Sequence, residues 1–383
     1  MTKKILFLLL SFLPLTLFAH ITVGAEHTDK YLPLLKGKNV ALVVNQSSEI
    51  NGQHLVDTLL QQQVNVIKIF APEHGFRGLA DAGEHIINAT DTKTGLPIVS
   101  LYGQHKKPTK SDLENIDVLV FDIQDVGVRF YTYLSTLHYI MEAGAENGIE
   151  VIVLDRPNPN GGRIDGAVLN LNYTSFVGMH PIPILYGMTI GEYALMINGE
   201  EWLKGGVQCK LKVVKLESYT HESAYSLKIK PSPNLPNDLA IYLYPSLAFF
   251  EGTVFSVGRG TKHQFQLYGN PFYKKKKFSF KPISRAGAKF PKHQNKVCYG
   301  VSLRREVILP KGGINLTYLL DAYKNYPYKK KFFLKNKFID KLSGSSQLRQ
   351  QIMAGKSEKE IKKSWEKGLE VFKSIRQNYL LYP

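Results

Sequence analysis

Five apolar runs, each ending in a polar or glycine-bearing stretch, set the strongest limit on how this 383-residue chain can fold. Residues 39–44 (NVALVV), 64–70 (VNVIKIF), 97–101 (PIVSL), 117–121 (DVLVF) and 150–154 (EVIVL) are rich in β-branched residues and show little alternation, the pattern of strands covered on both faces. Helical spacing falls between them: Leu55, Leu59 and Leu60 within residues 52–62, then residues 132–147, and afterwards residues 188–203, with Thr189 as N-cap and Glu192 as its capping-box partner. Residues 209–216 alternate as an exposed or edge strand does. Parallel neighbours need a crossover, so strands alternating with helices predict an α/β fold with a doubly wound, mostly parallel sheet through about residue 240.

Open sheets of this kind bind ligands beyond the carboxyl ends of their strands. The second run delivers residues 71–84 (APEHGFRGLADAGE) to that edge, with Glu73, His74, Arg77 and Glu84 set among glycines. Asn45 follows the first run, and Asp122, Gln124, Asp125 and Arg129 follow the fourth. The fifth leads into residues 155–166 (DRPNPNGGRIDG), whose prolines and glycines exclude regular structure around Asp155, Arg156, Asn158 and Asp165. Neither glycine-rich phosphate motif follows the first strand, so no nucleotide cofactor is expected, and without G-x-S-x-G there is no elbow for a hydrolase serine. His74 and His85 lie among carboxylates at no recognised ligand spacing, and no metal is expected.

What recurs at these strand ends is carboxylate. Glycoside hydrolysis needs a pair, one carboxyl protonating the leaving oxygen and the other acting on the anomeric carbon or on water. Each candidate also has a structural reading: Asp155 as partner of Arg156 in ordering a loop, Asp122 as a turn cap, Glu84 as a surface residue. Glu73 resists one, because a charge between Pro72 and His74 at a strand terminus must be either solvated in a cleft or paired.

The texture changes after residues 231–237 (PSPNLPN), and we place a boundary near Glu251. Strand-like pieces follow near Phe278 and at 297–303, and helices at 314–323 and 345–353. A last helix opens with Ser357 and Glu360 and carries Ile361, Trp365, Leu369 and Phe372 on one face. The net charge of +17 is concentrated here: from Lys274 onward there are 27 Lys and Arg against 7 Asp and Glu, leaving −3 for the rest. Lysines beside aromatics suit an anionic polymer or membrane surface, although most of them read as a solvated face. No zinc finger or recognition helix is present, and nucleic acid is not expected as a partner. Lys3 and Lys4 precede an apolar run, residues 5–18, that is short for a bilayer span and reads as a secretory signal. Ala19 and Ala25 are its candidate last residues, and taking residues 1–25 as the signal gives an exported chain, periplasmic or secreted, with no stable membrane insertion after cleavage. Cys209 and Cys298 are either one bridge or two separate buried thiols.

Whole segments carry a resemblance. NVALVVNQS, APEHGFRGLADAGE, VLVFDIQDVGVRFYTYLSTL, VLDRPNPNGGRIDG, PSPNLPN, LYPSLAFFEGT and SVGRGT, in that order, resemble the exo-β-N-acetylmuramidase family over nearly all of the chain beyond the signal. The resemblance implies a Rossmann-like catalytic domain over residues 26–250 and a smaller α+β domain over 251–383 that closes a cleft. It also implies exolytic, cofactor-free release of N-acetylmuramic acid from the non-reducing end of peptidoglycan fragments, as in cell-wall turnover. Glu73 corresponds to the family's proposed catalytic glutamate. Asp165 stands where many members have a second acid, a glutamate, and is expected as base or nucleophile. The lactyl carboxylate of the sugar calls for a cation, and Arg77, Arg129, Arg156 and Arg259 are the arginines in the matching loops. Asn45, His74, Glu84, Gln124, Asp125, Asn158 and Asn234 complete the expected substrate contacts, and Tyr131 or Tyr133 is a candidate stacking surface. Two other readings stand beside this one: a non-catalytic wall-sugar-binding protein, and an esterase or amidase using His74 or His138 with a serine.

Overall fold

The computed structural model describes residues 20–73, 75–76, 89–309 and 311–383. His74, Arg77 and Glu84 therefore lie outside the described residues, as does the apolar run of the expected signal. Thr22 pairs with Glu217, and Val23 and Ala25 are buried in the core, so residues 22–25 belong to the fold.

A seven-stranded sheet forms the centre. Its strands are β1 (Val40–Val44), β2 (Val66–Ala71), β3 (Ala89–Thr90), β4 (Pro97–Ser100), β5 (Val118–Asp122), β6 (Glu150–Leu154) and β7 (Leu211–Val214). Their order is β7-β6-β5-β1-β2-β4-β3, parallel throughout except for β3 against β4. The apolar runs show little alternation because both faces are covered. Val40, Leu42, Val44, Val118 and Val120 point into one core, and Ala41, Val43, Leu119 and Phe121 into the other. Helices α1 (Thr28–Leu35) and α2 (Leu55–Gln61) supply apolar residues to the first core, while α3 (Tyr133–Asn147) and α4 (Ile190–Gly199) supply the second. The fold is thus the expected Rossmann-like, doubly wound α/β sheet, with β7 on its edge. The Thr189–Glu192 capping box is also formed, the threonine hydroxyl accepting from Glu192 N and the Glu192 carboxylate from Thr189 N.

A smaller α+β part follows. Helix α5 (Asp238–Leu247), capped by Asn237, runs into a 3-10 turn at Ala248–Gly252. The strands β8 (Leu267–Asn270), β9 (Phe278–Phe280) and β10 (Cys298–Ser302) make an antiparallel sheet in the order β8-β10-β9. Helices α6 (Thr317–Asn325), α7 (Phe338–Ser343), α8 (Gln347–Met353), α9 (Glu358–Lys363) and α10 (Glu366–Arg376) complete it. The expected single last helix is two, broken at Ser364 and Trp365, and Ile361, Trp365 and Phe372 are buried as its apolar face requires. One core, running from Phe121 and Val153 through Phe255 to Phe372, is continuous across both parts. The two cysteines are separate free thiols, both buried.

Candidate active site

Strand β2 ends at Ala71, and Pro72 stops the ladder by removing a donor, so Glu73 stands in a turn at the carboxyl edge of the sheet. Thr132, at the start of α3, donates its hydroxyl to Glu73 Oε2 at 2.7 Å. Glu73 lines a cavity of about 390 Å³ built from both parts of the molecule. The sheet side contributes Tyr102, Phe130 to Tyr133, Phe176, Ser232 and Asn234; the other side contributes Tyr244 from α5, Glu251 from the 3-10 turn, Arg259, Phe265 and two residues of α7. Such a mixture of aromatic surface and a few convergent polar groups suits a sugar, which offers both hydroxyls and an apolar ring face.

The polar groups are held firmly. Tyr131 and Tyr133 meet edge to face at 4.8 Å between ring centres and both donate to Pro231 O, at 2.8 and 3.2 Å. Burial first, and then the Glu73 charge, push the Tyr133 phenol upward, so it stays neutral. Asn234 is 2% exposed; its Nδ2 donates to Gly287 O at 2.8 Å, while its Oδ1 has no hydrogen-bond partner among the described residues. Arg259 donates from Nε to Glu251 Oε1 at 2.7 Å, and its guanidinium lies 5.2 Å from the centre of the Phe265 ring. Burial opposes its charge, but Glu251, Tyr244 and Glu73 outweigh this and hold its pKa above the usual arginine value.

Of the residues expected at the site, Glu73, Asn234 and Arg259 line this cavity, together with Tyr131 and Tyr133. Asn45 is fully buried, with Oδ1 accepting from Ser47 N and Oγ. Gln124 donates to Asp125 O and Pro157 O, and Asn158 to Gly161 O and Met188 O, which pins the loops after β5 and β6. Asp125 accepts from Gly127 N and from the Tyr186 hydroxyl. Arg156 is buried against Asp122, with Nε at 2.5 Å and Nη2 at 2.8 Å from the two carboxylate oxygens. Arg129 is 1% exposed and donates to Ala167 O, Ile182 O and Leu342 O. These residues shape the sheet edge from beneath.

Asp165 lies elsewhere and is not among the residues lining this cavity. It sits in the short antiparallel pairing of Ile164–Asp165 with Leu185–Tyr186, where Oδ1 accepts from Gly166 N at 2.8 Å and Oδ2 from Ile314 N at 2.7 Å and Lys362 Nζ at 3.2 Å. Its carboxylate thus joins the loop after β6 to the second part of the molecule. His138 is likewise occupied, packed between Glu142 and His180.

With this geometry in view, two family descriptions account for most of the sequence: exo-beta-N-acetylmuramidase NamZ, N-terminal, matches residues 40–239, and the C-terminal counterpart matches residues 242–382. The chain belongs to the exo-β-N-acetylmuramidase NamZ family. It is 39% identical over 375 residues to the peptidoglycan beta-N-acetylmuramidase NamZ of Bacillus subtilis (strain 168), spanning 92% of this chain and 89% of that one. A crystal structure of a DUF1343 family protein from Bacteroides fragilis NCTC 9343 superposes with a TM-score of 0.88 at 46% identity, covering 95% of this chain and 99% of that one. A second DUF1343 family protein of the same organism gives 0.84 at 32% identity, with the same coverage.

Sequence reasoning missed Thr132, Tyr102, Phe176 and Glu251. Glu251 and Arg259 stand inside the segments LYPSLAFFEGT and SVGRGT, so the signal for the pair lay in the two stretches that carry the resemblance most compactly after residue 240.

Proposed function

We propose that the chain is an exolytic glycoside hydrolase that releases N-acetylmuramic acid from the non-reducing end of peptidoglycan fragments, with Glu73 as the general acid. The observation that carries this is the position of Glu73: a carboxyl at the end of a central strand, bonded among the described residues to the Thr132 hydroxyl, in a cavity walled by aromatic rings. Glu73 gives its proton to the glycosidic oxygen as the bond to the anomeric carbon breaks. Arg259, which holds Glu251 through Nε, is the cationic group of this lining that suits the lactyl carboxylate, whereas Arg129 and Arg156 do not line the cavity. Asn234 Oδ1 is an acceptor suited to a sugar hydroxyl or an acetamido N–H.

The roles differ in how they depend on the leaving group. Glu73→Gln is expected to lower kcat on a muramyl-glucosaminyl disaccharide by roughly 10²–10⁴-fold. The loss in kcat/KM on a nitrophenyl β-muramide, which reports departure of the leaving group, should be much smaller, because nitrophenolate departs without being protonated. Equal kcat for variant and parent on the disaccharide would remove Glu73 from this role. Export to a periplasmic or extracellular location, supported by the lysine-led apolar run at residues 5–18, is part of the same proposal, with Ala19 as the last residue removed because residues 23–25 are buried in the fold. Sequencing the amino terminus of the secreted or periplasmic form tests it, and a mature chain starting beyond Ala25 would contradict it.

A further inference from the structure

We propose that Glu251 is the second catalytic carboxylate of this cavity, held by Arg259 and acting at the anomeric carbon whose leaving group Glu73 protonates; the inference rests on the glycosidase reading above. Among the described residues lining the cavity, the carboxylates are Glu73 and Glu251. They arrive from different parts of the molecule, Glu73 from the carboxyl end of β2 and Glu251 from the 3-10 turn after α5. Both parts must therefore close on a sugar for the pair to act.

The turn that carries Glu251 is fixed. Thr253 N donates to Phe250 O at 2.9 Å and Leu334 N to Gly252 O at 3.0 Å. At Gly252 a Cβ would sit 2.5 Å from Ile339 N of α7, so the backbone there approaches the helix more closely than any other residue allows. The two carboxylates differ in their company. Glu73 Oε2 accepts from the Thr132 hydroxyl at 2.7 Å, which orients its carboxyl in the cavity. Glu251 Oε1 accepts from Arg259 Nε at 2.7 Å, which fixes the direction in which its carboxylate faces the cavity, as a base or nucleophile requires. Arg259 stands in the same lining as both acids. Asp165, the alternative, has its oxygens engaged by Gly166 N, Ile314 N and Lys362 at the junction between the two parts.

The reaction balances in either of its two forms. With water between Glu251 and the sugar, the water oxygen bonds to the anomeric carbon, its proton passes to Glu251, and the bond electrons leave with the glycosidic oxygen protonated by Glu73. With direct attack, a Glu251 oxygen bonds to that carbon and water then cleaves the ester, giving its proton back to Glu73. In both, the attacking group occupies the α face of a β-muramide.

Purified parent, Glu251→Gln, Glu251→Ala and Asp165→Asn enzymes would be compared on nitrophenyl β-muramide, with melting temperatures recorded for each. Glu251→Gln, which keeps an acceptor for Arg259, is expected to lose at least roughly 100-fold in both kcat and kcat/KM at a parental melting temperature, in contrast to Glu73→Gln, whose kcat/KM on the same substrate falls much less. Sodium azide is expected to restore turnover to Glu251→Ala and to yield α-muramyl azide, which a merely structural residue would not do. Asp165→Asn is expected to keep its kcat. Parental kcat in Glu251→Gln, or a folded Glu251→Ala that azide leaves inactive, would overturn the assignment of Glu251 while leaving the glycosidase reading standing. A parent enzyme inactive on the muramide would overturn both.

Discussion

Asp155 is enclosed by Tyr382 Oη at 2.6 Å, Thr189 Oγ1 at 2.7 Å, Gly191 N at 2.8 Å and Arg156 N at 2.9 Å, yet burial outweighs these donors and pushes its carboxyl up to about 7. Asp125 is pushed up to about 6 for the same reason. Each folded value lies above the ordinary aspartate value of about 3.9, so their contribution to stability is complete below about pH 4 and is lost as the pH rises through 6 and then 7. His138 and His180 act in the opposite sense, since burial lowers both; their contribution is present above about pH 6.5 and is lost as the pH falls through their folded values. Melting temperatures measured from about pH 4 to about pH 8 should therefore decline less steeply in Asp155→Asn than in the parent. Parallel curves would contradict this account. At this scale Glu73 was legible in the sequence because its carboxyl follows directly on a strongly apolar strand. Glu251 was not, since it is embedded in an aromatic run and its partner Arg259 stands eight residues away in the next matching segment, so that only the fold brings the two together. Asp165 stood out as an acid in a rigid loop, but only tertiary structure shows that Ile314 and Lys362 engage it.

Helix α4 shows how much one cap carries. The Thr189 hydroxyl accepts from Glu192 N at 3.2 Å and donates to Asp155, so it both starts the helix and ties it to the end of β6. Thr189→Ala should cost about 1–2 kcal/mol, read as a lower denaturant midpoint at unchanged slope. An unshifted midpoint would mean that neighbouring groups replace the cap. The β-strands of the central sheet were readable because burial on both faces writes itself as an uninterrupted apolar run. Helix α5 was not readable as a helix: Pro245 lies inside it, and its aromatic residues serve the cavity and the core rather than a clean helical period. Strand β8 was hidden for another reason, being four residues long with a glycine, Gly269, at its third position.

The two parts of the molecule are joined by buried polar groups as well as by a shared core. Arg129 reaches from the loop after β5 to Leu342 O in α7 while also holding Ala167 O and Ile182 O. Burial lowers its pKa to about 9, which leaves it charged near neutrality. Replacing it by leucine would strand those three carbonyls, at a cost of about 3 kcal/mol or more, and a melting temperature within error of the parent would refute this role. Leu342 also lines the cavity, so the same junction that stabilises the fold fixes one wall of the site. On the proposed reading, a cavity closed from both sides positions Glu73 to cut a terminal muramyl residue. Its most direct test is mass analysis of the products after incubation with the muramyl-glucosaminyl disaccharide. The parent should yield free N-acetylmuramic acid and N-acetylglucosamine while Glu73→Gln leaves the disaccharide intact; an uncut disaccharide with the folded parent, or equal cleavage by both, would contradict it.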